Sequence, residues 1–564
     1  MAAALAAGAC ERGAPLHPAD GRALPPGRPS ALLNPLCGGS GGTTHAGGSI
    51  TTAVTWAASG NPHRVTATVI LGSGGQLTLQ PGVIVCFSSL ALLQSNGGRL
   101  VAQGLPASRI VLTATDPALG WKGVSLSWEP SAASVLKHVT IEYTERGSPG
   151  VSSFMHPVAI DSTVIRQSGR GVDLWGRGAS FSRSRVDTTT NRDANIAAVT
   201  LHDSTRFEQS VILHAASNGL RIEGAGVQIL GGRIEGSGGI GIVAEQFSGI
   251  PWATPLRVVG GGSYPISASV QMLRALYTHS FYQDSLLGNA RDTVLMRGGT
   301  LRTTLLVRSG LPWHVTGSID VLVTGALRGE AGSRLVMDPG TGIQADSGGR
   351  VLMRGSPTNP VVLTAEDPSL GWAGITVDGT PNESISYITN TRVEHVAYGD
   401  TALVALGSHS IIVDSAVFRR NGRAISIFSA GSRLSRTRVD TTLSSAGPAV
   451  ELGANTILES TLIRGSSKHG LLLRSSAVQV LSCEVRGSVN HGIYADGSPP
   501  VHNCNLVGNG GVGLNNPDPG VTVNATGNWW GDAGGPTAPA GDGVGGPVTY
   551  SPWLTAPVVL PYVP

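Results

Sequence analysis

A chain of 564 residues with 39 basic and 36 acidic side chains carries a formal net charge of only +3; its residues are 41% hydrophobic, 13% charged and 5% aromatic. This balance excludes a disordered polyelectrolyte and offers nothing for nucleic acid to bind, while 79 glycines off any three-residue period exclude collagen. No apolar run approaches the roughly 18 residues that a membrane-spanning helix needs. Lys, Glu and Gln are scarce beside Gly, Ser, Thr and Val, which disfavours long helices and leaves an all-β chain.

The first expected segment, residues 1–45, is a leader. It opens MAAALAAGAC, small and apolar up to Cys10, followed by a proline-rich polar stretch. That pattern resembles the end of a bacterial lipoprotein signal and makes Cys10 the lipidation candidate, although a basic n-region and the usual leucine are missing. Export to the outer membrane, the cell surface or the medium is the expectation, with the membrane reached only through a lipid anchor. The remaining cysteines, Cys37, Cys86, Cys483 and Cys504, fit an oxidising compartment. A pairing of Cys37 with Cys86 would staple the N-terminal edge.

Two repeats of similar sequence follow, expected at 46–305 and 306–526. TATDPALGWKGV at 113–124 returns as TAEDPSLGWAGI at 364–375, GGRLVAQG at 97–104 as GGRVLMRG at 348–355, and SRSRVDTTT from Ser182 as SRTRVDTTL from Ser435. Landmarks in one order at an offset near 251 make the chain a duplication. A shorter beat runs inside: HGLLL, HGIYA and VGLNN start at His469, His491 and Val512, and ILESTLIRG, VLSCEVRG and VHNCNLVG keep the same rhythm. Each period of about 22 residues holds short alternating stretches and corner glycines, as one turn of a stacked solenoid does. Residues one period apart then lie above one another. Cys483 and Cys504 keep this spacing, which fits either a disulfide or an inward thiol ladder.

Four segments resemble bacterial right-handed parallel β-helix repeat proteins of the pectin-lyase-like fold. They are GGQLTLQPGVIV (74–85), GRLVAQGLPASRIVLTATDPALGWKGV (98–124), LKHVTIEY (136–143) with VEHVAY (393–398) as its second copy, and GNWWGDAGGP…SPWL (527–554). The resemblance implies an all-β, right-handed parallel β-helix of about 20 coils in two tandem homologous halves, closed by a terminal segment at 527–564. The stretch from Pro81 to Gly98 is longer by seven positions than that from Pro339 to Gly349, which suggests a loop inserted in the first copy.

Trp529, Trp530 and Trp553 suit a cap over the last coil, whose core and strand edge would otherwise be open. Trp121 and Trp372 recur with the repeat and read as packing. His469 and His491 should stack, yet nothing supplies a third ligand, so no metal and no cofactor are expected. His138 and His395 recur, as do Asp116, Asp367, Asp187 and Asp440, which read as turn residues bonding their own backbone. The acid clusters, Asp-Asp pairs and Tyr-Gly-x-Asp-Pro-His-Asp strings that mark lyases, hydrolases and epimerases on this fold do not occur, so no catalytic residue is assigned. The expected function is an exported rod for adhesion or surface assembly, with a polysaccharide, another surface protein or a second copy of itself as partner. A polysaccharide-active enzyme or a carbohydrate-binding protein is the alternative. The first would show a groove lined by Asp, Glu, Arg or Lys from neighbouring coils, the second a short row of exposed aromatics.

Overall fold

The computed structural model describes residues 33–130, 132–176, 178–245, 252–277, 286–379 and 385–560. Short strands, most of three to five residues, alternate buried and exposed side chains, and every strand pair in the ladder is parallel. Two-residue alternation gives each strand one apolar face, and no single turn can enclose it. The turns therefore stack. The result is a parallel β-helix, all-β apart from short helical pieces.

We name three faces in the order the chain visits them. Strands such as Ile110–Ala114 form face I, Val124–Ser127 face II and Ser134–Lys137 face III. Face II is continuous: 20 strands lie in one ladder from Gly48–Ile50 to Asn505–Val507, which counts the turns. Near the C-terminus the register follows the short beat of the sequence, pairing Leu471 with Ile493 and Val480 with Val501. Earlier turns are longer; Ile110 pairs with Val139. A column of buried Val, Ile and Leu runs along the axis, with Trp121, Trp313 and Trp372 fully enclosed.

The helix Val270–Tyr277 interrupts the regular course. It follows the face II strand Ile266–Ser269, and the next described strand, Val294–Arg297, stacks directly on that same strand. From there the chain lays down an eleven-stranded and a nine-stranded sheet beside face II. Sequence-matched segments consequently keep their local shape but change face. IVLTA at 110–114 lies on face I, whereas VVLTA at 361–365 lies on face II. Residues 305 and 306 fall inside one strand, Thr304–Val307.

Several expectations are corrected. There is no seven-residue insertion, because Pro339–Gly340 is not the partner of Pro81–Gly82. The matching corner is Ala331–Gly332: Gly82 and Gly332 have φ of 81° and 82°, and each donates its N–H across to the next turn, to Ser108 and Asn359. Gly340 (φ 74°) instead matches Leu90 (φ 69°). VEHVAY does not repeat LKHVTIEY from its start. Trp121 Nε1 donates to the Glu142 carbonyl and Trp372 Nε1 to that of Glu394, both at 2.9 Å, so His395 takes the place of Tyr143, and Asn390 that of His138. Asp116 and Asp367 do cap turns, accepting from the N–H of Ala118 and Ser369 at 2.8 Å. Asp187 and Asp440 do not. They sit on strands and pair with Arg185 and His214, and with Arg438 and Arg464.

Cys37 and Cys86 form a disulfide that ties the leader to face I, where Asn34 also bonds Thr113. Cys483 and Cys504 are free. Each thiol points inward and donates to a carbonyl two residues back at 3.2 Å, and the Cys483 N–H donates to Cys504 Sγ. The ladder geometry thus satisfies both sulfurs without a bond between them. Cys10 lies outside the described residues.

At the C-terminal end Trp530 is fully buried against Leu506 and Gly513, while Trp529 is half-buried and pairs with Asn505. Trp553 folds back over Gly535, where a Cβ would come within 2.6 Å of the indole, and bonds the Ala533 carbonyl. The open end of the core is closed. Trp530→Ala should therefore cost about 3–5 kcal/mol, read as a lower Tm and as faster hydrogen exchange in the last turns. Trp530→Phe should cost less, because the indole Nε1 has no hydrogen-bond partner.

Candidate functional site

The residues that end each face II strand, or directly follow it, form a line along one corner of the rod. Parallel register puts each above the last: Ser127↔Phe154↔Trp175, with His202, Glu223 and Glu245 next in the same ladder. Further along come Arg297, Asp338 and Glu366. A strand end is where a side chain can stand outward and still be held by the ladder behind it.

The line begins apolar. Trp128, Phe154 and Trp175 are 58%, 48% and 48% exposed, on three successive turns. Their ring centroids step by 6.5 and 6.3 Å, and Trp175 lies flat on His202 at 3.4 Å. The two tryptophans are held in place. Trp128 adopts φ +64°, a region bulky residues avoid. There its N–H donates to the Phe154 carbonyl, and its own carbonyl accepts from His156 Nδ1 at 2.8 Å. His156 is buried, and its Nε2 accepts from the Ser134 hydroxyl. Trp175 Nε1 donates to Asp173 at 2.7 Å. Exposed aromatics pinned in this way are ordered in advance, so that none of that order would have to come from a ligand.

The middle of the line is charged and balanced. Asp173 and Glu223 flank the His202 ring at 3.2 and 3.4 Å. Arg170 pairs with Asp173, Arg221 with Glu223 and Glu245, and Arg297 with Glu245. Three acids meet three arginines, so these ion pairs carry no net charge among themselves.

The far end holds a relay on the same face. Arg291 Nη1 donates to Tyr264 Oη, Tyr264 Oη meets His314 Nδ1, and His314 Nε2 meets Asp338, each at 2.6 Å. Arginine only donates, so the tyrosine proton must point at His314 Nδ1, and Nε2–H at Asp338. Loss of the tyrosine proton to His314 would leave an oxyanion beside a guanidinium and an imidazolium beside a carboxylate. The chain opens here into a cleft of about 240 Å³, also lined by Thr293, Pro312, Val336 and Glu366.

The candidates taken from the sequence lie elsewhere. Trp121 and Trp372 are core, and His469 and His491 do stack, at 5.2 Å. No group of three His, Cys, Asp or Glu suited to a metal occurs among the described residues. The line itself escaped sequence reading because its turns differ in length. Trp128, Phe154, Trp175 and His202 follow one another at unequal intervals along the chain, so no fixed period marks them.

Residues 373–528 match the protein-family model described as "Right handed beta helix region". No curated protein matches the chain. Among solved structures, an alginate lyase of family PL6, AlyGC, is 8% identical; the match covers 86% of this chain and all of that one with a TM-score of 0.19, a likeness too low to carry an argument.

Buried and half-buried histidines recur along the rod beyond this line. Burial is the first cause pushing His45, His156, His395, His409, His469 and His491 below their ordinary pKa. Folding favours the neutral form of each, while the unfolded chain takes up protons more readily once pH drops below about 6.5, so the unfolded state binds more protons and stability falls with pH there. Thermal melts should show a lower Tm at pH 5 than at pH 7, above the range where carboxylates titrate. An unchanged Tm would contradict this account.

Proposed function

We propose that the chain is an exported, rigid rod that binds an extended, uncharged polysaccharide along the strand-end line of face II. The observation that carries this reading is the row of Trp128, Phe154 and Trp175. Turns rise by about 4.8 Å and the ring centroids step by 6.5 and 6.3 Å, a repeat short enough for neighbouring sugars of one extended chain to meet neighbouring rings. The Arg–carboxylate ladder beyond the rings supplies fixed donors and acceptors for hydroxyls without net charge, which favours a neutral polymer over an acidic one. The Cys37–Cys86 disulfide accords with a secreted protein.

A glycan array followed by calorimetry with neutral hexasaccharides tests the reading. Phe154→Ala with Trp175→Ala should keep the wild-type Tm and weaken binding by about tenfold or more, given about 0.5–1.5 kcal/mol per aromatic contact. No neutral ligand, or binding indifferent to both substitutions, defeats it.

The Tyr264 relay favours a second reading, in which the polymer held on the line is also cleaved at the 240 Å³ cleft, with Tyr264 as the proton-transfer residue. New chain ends should then accumulate when the protein is incubated with the glycan it binds. Tyr264→Phe should abolish them while leaving affinity unchanged. A panel of polysaccharides that yields no product from the wild type rejects this reading alone.

A further inference from the structure

A second cleft, of about 390 Å³, opens at the corner between face II and the eleven-stranded sheet, distant in sequence from the aromatic row. Arg423 begins the strand Arg423–Ile427, and Lys468 and His469 precede the strand Leu471–Leu473. Register aligns Glu451, Leu472 and Tyr494 along the cleft floor. Arg474 is committed, bonding Glu451 at 3.0 Å and Asp496 at 3.2 Å. Arg423 and Lys468 have no carboxylate within ion-pair distance among the described residues, and the Lys468 ammonium reaches only the Ala446 carbonyl at 3.3 Å. Gly447 lies under Arg423, where a Cβ would stand 2.7 Å from the arginine Cδ. His469 stacks on His491 at 5.2 Å and meets Tyr494 at a tilt, and its buried Nδ1 has no hydrogen-bond partner.

Two uncommitted cations converge on one cavity whose wall includes the His469 ring, and they need an acceptor that the protein does not supply. We propose that this cleft binds a sugar-sized ligand through an oxyanion held by Arg423 and Lys468 beside the His469 ring, with Tyr494 offering its ring and hydroxyl to the rest of the molecule. A bare ion would leave most of the volume unfilled. The inference stands apart from the polysaccharide line.

The electrostatics agree. Burial first, then the charges of His491 and Lys468, hold His469 down to about 4. The other charged groups facing the cleft are Arg423, Arg474 and Glu451, with Asp496 behind Arg474. An anion bound there should raise the His469 pKa, and by reciprocity it should bind more tightly as pH falls toward that value.

Calorimetry and imidazole NMR on the full chain, with inorganic phosphate, inorganic sulfate, glucose 6-phosphate and glucuronate as separate probes, test the proposal. Expected is saturable binding of glucose 6-phosphate or glucuronate, tighter than that of either inorganic ion, a rise of the His469 pKa by about one unit or more, and a loss of about tenfold in affinity in Arg423→Gln and in Lys468→Met; binding of an inorganic ion alone defeats the sugar-sized ligand. Preference for the phosphate ester or for the carboxylate identifies the source of the oxyanion. Trp175→Ala should change nothing here, which separates this site from the aromatic row. Absence of saturable binding by all four probes overturns the proposal, as does binding that neither cation variant weakens. Both substituted side chains lie in the cleft rather than the core, and an unchanged Tm confirms that each variant is folded.

Discussion

The parallel hydrogen-bond ladder between one turn and the next is the constraint on which everything else depends. Each turn is too short to enclose its own apolar side chains, and only the turn above and the turn below complete the burial. That mutual need lines up Val, Ile and Leu into one axial column and forces outward residues into equally regular columns. Stability is therefore shared between neighbours, and the two ends are the weak points. Trp530 and the fold-back of Trp553 meet one of them, and the disulfide between Cys37 and Cys86 secures the other.

The same ladder makes surface chemistry one-dimensional. Side chains from residues 128 to 366 fall along one corner because face II never breaks, even where the helix Val270–Tyr277 shifts the other sheets. Local order can then be inherited from the turn below. Trp175 rests on His202, His202 is held by Asp173 and Glu223, and the arginines join those acids to the next turn. Such a line suits a polymer better than a compact ligand. The Arg423–His469 cleft is the opposite case, a local depression where cations converge without matching acids.

Much of the fold was legible in sequence because the solenoid repeats its demands. Corner glycines, inward β-branched residues and the terminal Trp-Trp segment all report one local geometry many times over. Errors arose where one short motif fits two corners. Pro339–Gly340 resembles Pro81–Gly82 as letters, yet only the ladder shows that Ala331–Gly332 occupies the equivalent place. Asp187 and Asp440 likewise looked like turn residues, and their arginine partners on strands became visible only with the register.

The amino-acid sequence by itself determined that this chain is a β-solenoid, because strand alternation and a short, regular beat permit little else. It also located the stacked His469 and His491 and the tryptophans that close the C-terminal end. Only the tertiary structure decided which outward residues meet. The number of residues between successive turns varies, so spacing along the chain does not convert into position around the rod. Trp128, Phe154, Trp175 and His202 are scattered letters until parallel pairing sets them about one strand spacing apart, and Tyr264 meets His314, and His314 meets Asp338, only because Val294–Arg297 stacks directly on Ile266–Ser269.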